Sequence, residues 1–207
     1  CLSLWLSFCL RRWGDEDLRP AKKGPAVRII PFGTDRTVVN AAAMDDRYLY
    51  IAVTDEDTVC RMDIHDGKAI LTERLERFLR VPSPNGIVVR GKKLFVASIP
   101  KDYGTLTKEN VLYRVRDIFL AHPKLEICYN VPGLYDGLAL SKDGRVLSCS
   151  DWQTASVGAI NLERGIHSIL YQEKGIEPGN MAVHEDTLWI PDLMHDCVII
   201  ITLASDR

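Results

Sequence analysis

A β-propeller of four-stranded antiparallel blades is the fold this sequence predicts, on three observations. One phrase recurs four times: NAAAMDDRYLYIAV from Asn40, NGIVVRGKKLFVAS from Asn85, DGLALSKDGRVLSCS from Asp136 and NMAVHEDTLWIPD from Asn180. The copies start 45, 51 and 44 residues apart, about the length of one blade in a radially repeated sheet. Between them, short runs such as VLYRV at 111–115 alternate apolar and polar residues, and helix-forming stretches are scarce.

The elements follow in order. Residues 1–10 (CLSLWLSFCL) are apolar and precede Arg11-Arg12. That run is too short to span a membrane, and it lacks the basic lead and small-residue cleavage site of a complete signal peptide. It reads as the remnant of a truncated chain, with a lipid-bearing Cys1 as the competing reading. Residues 14–27 (GDEDLRPAKKGPAV) read as linker, so a lead over 1–27 and a propeller domain over 28–207 are expected. The apolar VRIIPF at 27–32 is a spare outer strand. It either closes the last blade by pairing with CVIIITL or belongs to a preceding blade.

The first unit is expected to hold strands at 41–44, 49–53, 59–64 and 69–74, with 73–79 helical by composition. The second places strands at 86–89, 94–98, 111–115 and 124–131, with a turn at 117–121. The third places them at 138–140, 146–150, 157–162 and 167–172. The fourth offers three, at 181–183, 188–190 and 197–203. Asp66-Gly67 and Asp143-Gly144 are hairpin-turn pairs.

Composition excludes some functions. With 207 residues and a formal net charge of −2, the chain has no basic field for nucleic acid. Its six cysteines form no CxxC pair and no cluster with histidine at zinc spacing, so they read as buried reduced thiols rather than disulfides. GxSxG is absent, and neither Ser83 nor Ser150 has a His/Asp partner in sequence. Trp152 reads as packing or as part of the channel mouth. Residues 101–110 (KDYGTLTKEN) are the longest insertion between strands, a loop that either shapes a binding mouth or is a plain surface excursion.

The first residue of each phrase carries the chemistry. Radial repetition brings equivalent positions together around one axis, so Asn40, Asn85, Asp136 and Asn180 are expected to converge as a ring of oxygen donors. Such a set, with one formal negative charge and no His or Cys, suits a hard divalent cation: calcium first, magnesium second. Asp136 is then both a ligand and a candidate base or nucleophile. His184 and His195 are the nearest histidines, and His184 is the candidate catalytic imidazole. The competing reading is structural, because Asn-Gly and Asp-Gly tolerate unusual backbone angles and non-enzymatic repeats of the NHL type open their inner strands with similar phrases. Asn40 and Asn180, which lack a following Gly, and the common phase of all four favour a site.

The phrases SPNGIVVRGKKLFVAS and GLYDGLALSKDGRVLSCSDW resemble the six-bladed calcium-dependent propellers, a group comprising the gluconolactonase/regucalcin (SMP-30) family, the paraoxonases and the squid-type diisopropylfluorophosphatase. The resemblance covers residues 40–203. It implies a metal in a central channel held in the order Glu, Asn, Asn, Asp, with Asn40, Asn85 and Asp136 matching the last three ligands. The Glu would precede Asn40 by one or two blades, and the lead offers no match, so a truncated six-bladed protein is implied. The activity implied is a metal-dependent hydrolase of lactones or esters (arylesterase type), with a small-molecule substrate. A non-catalytic propeller that binds a protein or small ligand is the alternative.

Overall fold

The computed structural model describes residues 37–64 and 76–203. Blade 1 comprises β1 (Val39–Met44), β2 (Tyr48–Val53), β3 (Thr58–Asp63) and β4 (Glu76–Arg80). Blade 2 comprises β5 (Pro84–Arg90), β6 (Lys93–Ser98), β7 (Leu112–Val115) and β8 (Leu125–Tyr129). Blade 3 comprises β9 (Tyr135–Leu140), β10 (Val146–Asp151), β11 (Ser156–Asn161) and β12 (Ile166–Gln172). Blade 4 comprises β13 (Ala182–His184), β14 (Thr187–Asp192) and β15 (Cys197–Thr202). Each sheet pairs its strands in chain order and antiparallel. The first strands lie side by side, β1 against β5, β5 against β9 and β9 against β13.

This arrangement explains why second strands read as unbroken apolar runs. β2, β6 and β10 are buried on both faces, whereas β14 buries one face (Leu188, Ile190, Asp192) and exposes Trp189 and Pro191 on the other. In β6, Leu94 and Val96 join Tyr50, Val59 and Leu79 of blade 1, while Phe95 and Ala97 join Tyr135, Leu138 and Leu147 of blade 3. A third cluster sets Ala139 and Val157 of blade 3 against Leu188 and Ile190 of blade 4. Burial of each such side chain contributes about 1.5–3 kcal/mol, so the blade interfaces are the core.

One expectation for blade 1 changes. The segment expected to be helical, 73–79, contributes residues 76–79 to strand β4. Its composition favours helix, but Val59 pairs with Leu79 and Thr58 with Arg80, and Phe78 and Leu79 pack into the first cluster. Tertiary pairing outweighs a propensity of a few tenths of a kcal/mol per residue. The fourth strand described is Glu76–Arg80; the strand expected at 69–74, the Asp66-Gly67 turn and VRIIPF at 27–32 all lie outside the described residues. The turn after β7 is present, with the Ile118 amide donating to the Lys92 carbonyl at 2.9 Å.

Cys60, Cys128, Cys149 and Cys197 are free thiols. Burial pushes Cys149 up to about 12 and Cys128 up to about 11, so neither ionises near neutrality. Among the described residues, no helix is long and apolar enough to cross a membrane.

Candidate functional site

Asn40, Asn85 and Asp136 stand at matching places near the starts of β1, β5 and β9. At each, the pairing of first with second strand is irregular. The register shifts between Val39 and Ala41, between Pro84 and Ile87, and opposite Asp136-Gly137 between Cys149 and Asp151. Irregularities of this kind turn a side chain out of the regular pleat. The sequence signal is the phrase itself, whose polar first residue interrupts an apolar strand.

The structure brings two of the four expected donors together. Asn85 Nδ2 donates to Asp136 Oδ1 at 2.9 Å and to the Tyr135 carbonyl at 3.3 Å, joining blades 2 and 3. Both side chains are buried, Asn85 at 4% and Asp136 at 8% exposure. Asn40 is engaged otherwise: its Nδ2 donates to Thr54 Oγ1 at 2.7 Å, and that hydroxyl donates to the Pro84 carbonyl at 2.7 Å. Asn180 is exposed and precedes β13 rather than opening it. His184 is exposed at the other end of β13, paired with Thr187 across the hairpin turn. His195 Nδ1 is 2.7 Å from Asp192 Oδ2.

Sequence reasoning missed the hydroxyls at the ends of the second strands. Ser150 Oγ accepts from the Gly137 amide at 2.7 Å and donates to the Gly179 carbonyl at 3.0 Å, so it bridges blades 3 and 4 as Thr54 bridges blades 1 and 2. A recurrent hydroxyl at this phase (Thr54, Ser98, Ser150) was the available signal. Ser150, weighed above only as a nucleophile, is a structural bridge. The glycines after Asn85 and Asp136 also have a cause other than turn geometry. A Cβ on Gly86 would collide with the Asp136 carbonyl oxygen, and one on Gly137 would lie 2.5 Å from the Gly179 carbonyl oxygen. Glycine is needed there because neighbouring first strands approach backbone to backbone.

Asp136 is the electrostatic anomaly. Burial pushes its carboxyl up to about 6, and the Asn85 hydrogen bond offsets only part of that. No cationic side chain pairs with it among the described residues. A buried carboxylate is ordinarily paired with a cation or bound to a metal. No group of three His, Cys, Asp or Glu side chains converges among the described residues, so they build neither a soft-metal site nor a carboxylate-rich one. The Asn85–Asp136 pair instead fits part of an oxygen-donor set for a hard cation, with Asn40 able to add its Oδ1 while its Nδ2 stays on Thr54.

No family model and no curated protein matches the chain. Solved structures do. A gluconolactonase from Xanthomonas campestris is similar at TM-score 0.61 and 15% identity, over 86% of this chain and 61% of that one. A virginiamycin B lyase from Staphylococcus aureus is similar at 0.62 and 15%, over 89% and 58%. The chain is a β-propeller. The propeller spans about three fifths of the length of these two enzymes. It is also similar, at 0.55 and 14%, to a chain in a nidogen/laminin complex, over 81% and 76%. At such identities the likeness establishes the fold and leaves the chemistry to the site.

Proposed function

We propose that this propeller is a calcium-dependent hydrolase of a lactone or ester. The observation that carries the reading is the buried Asp136 carboxylate, which lacks a cation and lies beside Asn85 across a blade boundary. The fold likeness to a gluconolactonase supports it at the level of architecture. Asn85 and Asp136 would hold the ion, with Asn40 as a third donor and Asn180 as a more distant one. Bound calcium (or magnesium) supplies Lewis-acid polarisation of the substrate carbonyl.

The remaining chemistry belongs to the chain. Asp136, while helping to hold the ion, would also be the group placed to accept a proton from the attacking water. Burial raises the proton affinity of the metal-free carboxyl to about 6; a bound cation would lower it again, so Asp136 would hold the proton only in passing. That proton passes to the leaving alkoxide as the acyl C–O bond breaks, which balances the hydrolysis. His184, at the hairpin end of β13, enters no step of this reading.

The test is turnover of δ-gluconolactone and phenyl acetate with calcium and with chelator, on the wild-type chain and on Asp136→Ala. Calcium-dependent turnover that the substitution abolishes is the expected result. No turnover of any lactone or ester would move the assignment to a non-catalytic propeller that binds a protein or small ligand.

A further inference from the structure

One blade departs from a pattern the others share. In blade 1, Asp55 Oδ1 accepts from the Val38 amide at 2.9 Å; in blade 3, Asp151 Oδ1 accepts from Leu134 at 3.0 Å; in blade 4, Asp192 Oδ1 accepts from Glu177 at 3.1 Å. Each aspartate clasps the end of its second strand to the connector ahead of its own first strand. Blade 2 has Ile99 at that position, which offers no side-chain acceptor. Its connector residue, Ser83, donates its amide at 2.9 Å to Asp57 of the preceding blade. The insertion at 101–110 follows directly.

Where the clasp is missing, an open cleft of about 690 Å³ lies between blades 1 and 2. That size suits a small molecule. Ser83 forms part of its wall with φ +38°, and its hydroxyl is the one buried side-chain polar atom without a partner among the described residues. A strained backbone and an orphaned hydroxyl at one residue are the usual marks of a group kept for a ligand. Neither Asn85 nor Asp136 lines this cleft.

The charges around it are mixed, Arg80 and Lys101 against Asp57, Asp102 and Glu109. Lys101 Nζ is held by Asp57 Oδ2 at 3.0 Å and the Asp55 carbonyl at 3.2 Å. Asp102 Oδ1 is occupied by the amides of Gly104 and Thr105, both at 3.1 Å. Arg80 and Glu109, opposite in sign, also line the cleft, and neither side chain is engaged in an ion pair among the described residues. Two cations against three anions leave a net charge of −1, a weak field for drawing in an ion. What remains is the Ser83 hydroxyl, the Arg80 guanidinium and the Glu109 carboxylate, beside apolar Pro82, Ile99 and Pro100. Hydroxyl groups satisfy the polar set, and the C–H faces of a polyol pack on the apolar one. We propose that this cleft binds a small neutral polyol of monosaccharide size through the Ser83 hydroxyl and the Arg80 guanidinium.

The experiment compares three probes on one skeleton: neutral glucose, anionic gluconate and cationic glucosamine. Binding is followed by amide chemical-shift perturbation in chelator, without turnover, so failure of the hydrolase reading leaves this result standing. Glucose is expected to shift Ser83, Ile99 and Thr107 and to bind more tightly than either charged analogue. Ser83→Ala and Arg80→Met should each weaken it at least fivefold. Lys142→Ala, in the separate cleft between the Arg90 and Glu185 turns, should leave it unchanged. Arg80 is exposed, so its variant reads binding even if Ser83→Ala perturbs the connector. Tighter binding of a charged analogue, no binding of glucose, or glucose binding indifferent to both variants would overturn the proposal.

Discussion

Asn85 on β5 and Asp136 on β9 share a hydrogen bond of 2.9 Å, although 51 residues of chain separate them. The bond joins two blades and leaves a carboxylate buried beside a neutral amide. A carboxyl raised to about 6 when folded binds protons that the unfolded chain, near 3.8, releases. Its stability contribution is therefore fully present below pH 3.8 and is lost as pH rises through about 6. At pH 8 the cost is of the order of 3 kcal/mol. Asp136→Asn keeps an acceptor for Asn85 and removes the charge. It should stabilise the metal-free protein by about 1–3 kcal/mol at pH 8 and by little at pH 4. Urea unfolding at the two pH values measures this, and a variant less stable than wild type at pH 8 would sink the argument.

Under the proposed calcium-dependent reading, the same carboxylate sets a pH dependence for the ion. Calcium competes with the proton, so its stabilising effect should be full at pH 8 and fade below about pH 6. Thermal melts with calcium and with chelator should show the difference. Asp136→Ala should abolish it and Asn85→Ala should weaken it. An equal calcium response at pH 5 and pH 8 would exclude Asp136 as the ligand.

Much of the architecture was legible because radial repetition keeps the same phase visible in every unit. The starts of β1, β5 and β9 carry Asn40, Asn85 and Asp136, and the apolar runs LYIAV and LFVAS report second strands buried on both faces. Strand β4 was illegible because ERFLR carries helix-favouring residues and its strand identity comes from pairing with β3. The detour of Asn40 was hidden for a related reason. Its partner Thr54 is set by a pairing irregularity and by the Pro84 carbonyl of another blade, and neither leaves a local trace. Asn180 shares the phase but not the placement, since β13 begins only at Ala182.

The close approach of first strands makes Gly86 a sharp test of the fold. A Cβ there would overlap the Asp136 carbonyl oxygen, which is backbone and cannot swing aside. Gly86→Ala should cost at least 2–3 kcal/mol, at or beyond the usual range for overpacking. Gly104→Ala, in an exposed loop with its nearest atom 3.8 Å away, should change stability by less than about 0.5 kcal/mol. Guanidinium unfolding of the two variants decides it. Equal stabilities would show that β5 and β9 are farther apart than described.

The aspartate clasps make the last prediction. Asp151 Oδ1 accepts from the amides of Leu134 and Gln153, each at 3.0 Å, while its Oδ2 accepts from Thr154 Oγ1 at 2.9 Å. The residue is 9% exposed, so water does not readily replace the carboxylate. Asp151→Ala orphans two backbone donors, while the Thr154 hydroxyl keeps Ser156 Oγ at 2.7 Å, and should cost about 2–4 kcal/mol. Asp151→Asn keeps the acceptor facing the two amides and should cost about half as much. Asp143 also accepts a backbone amide and a serine hydroxyl, but in an exposed turn where water takes over both. Asp143→Ala should therefore cost under about 1 kcal/mol. Hydrogen exchange adds a local readout. Asp151→Ala should accelerate exchange at Leu134 and Gln153 more than at Val146, whose amide is held by Ser141. Equal costs for Asp151→Ala and Asp143→Ala, with no local change in exchange, would mean that the clasp contributes nothing beyond an ordinary surface turn.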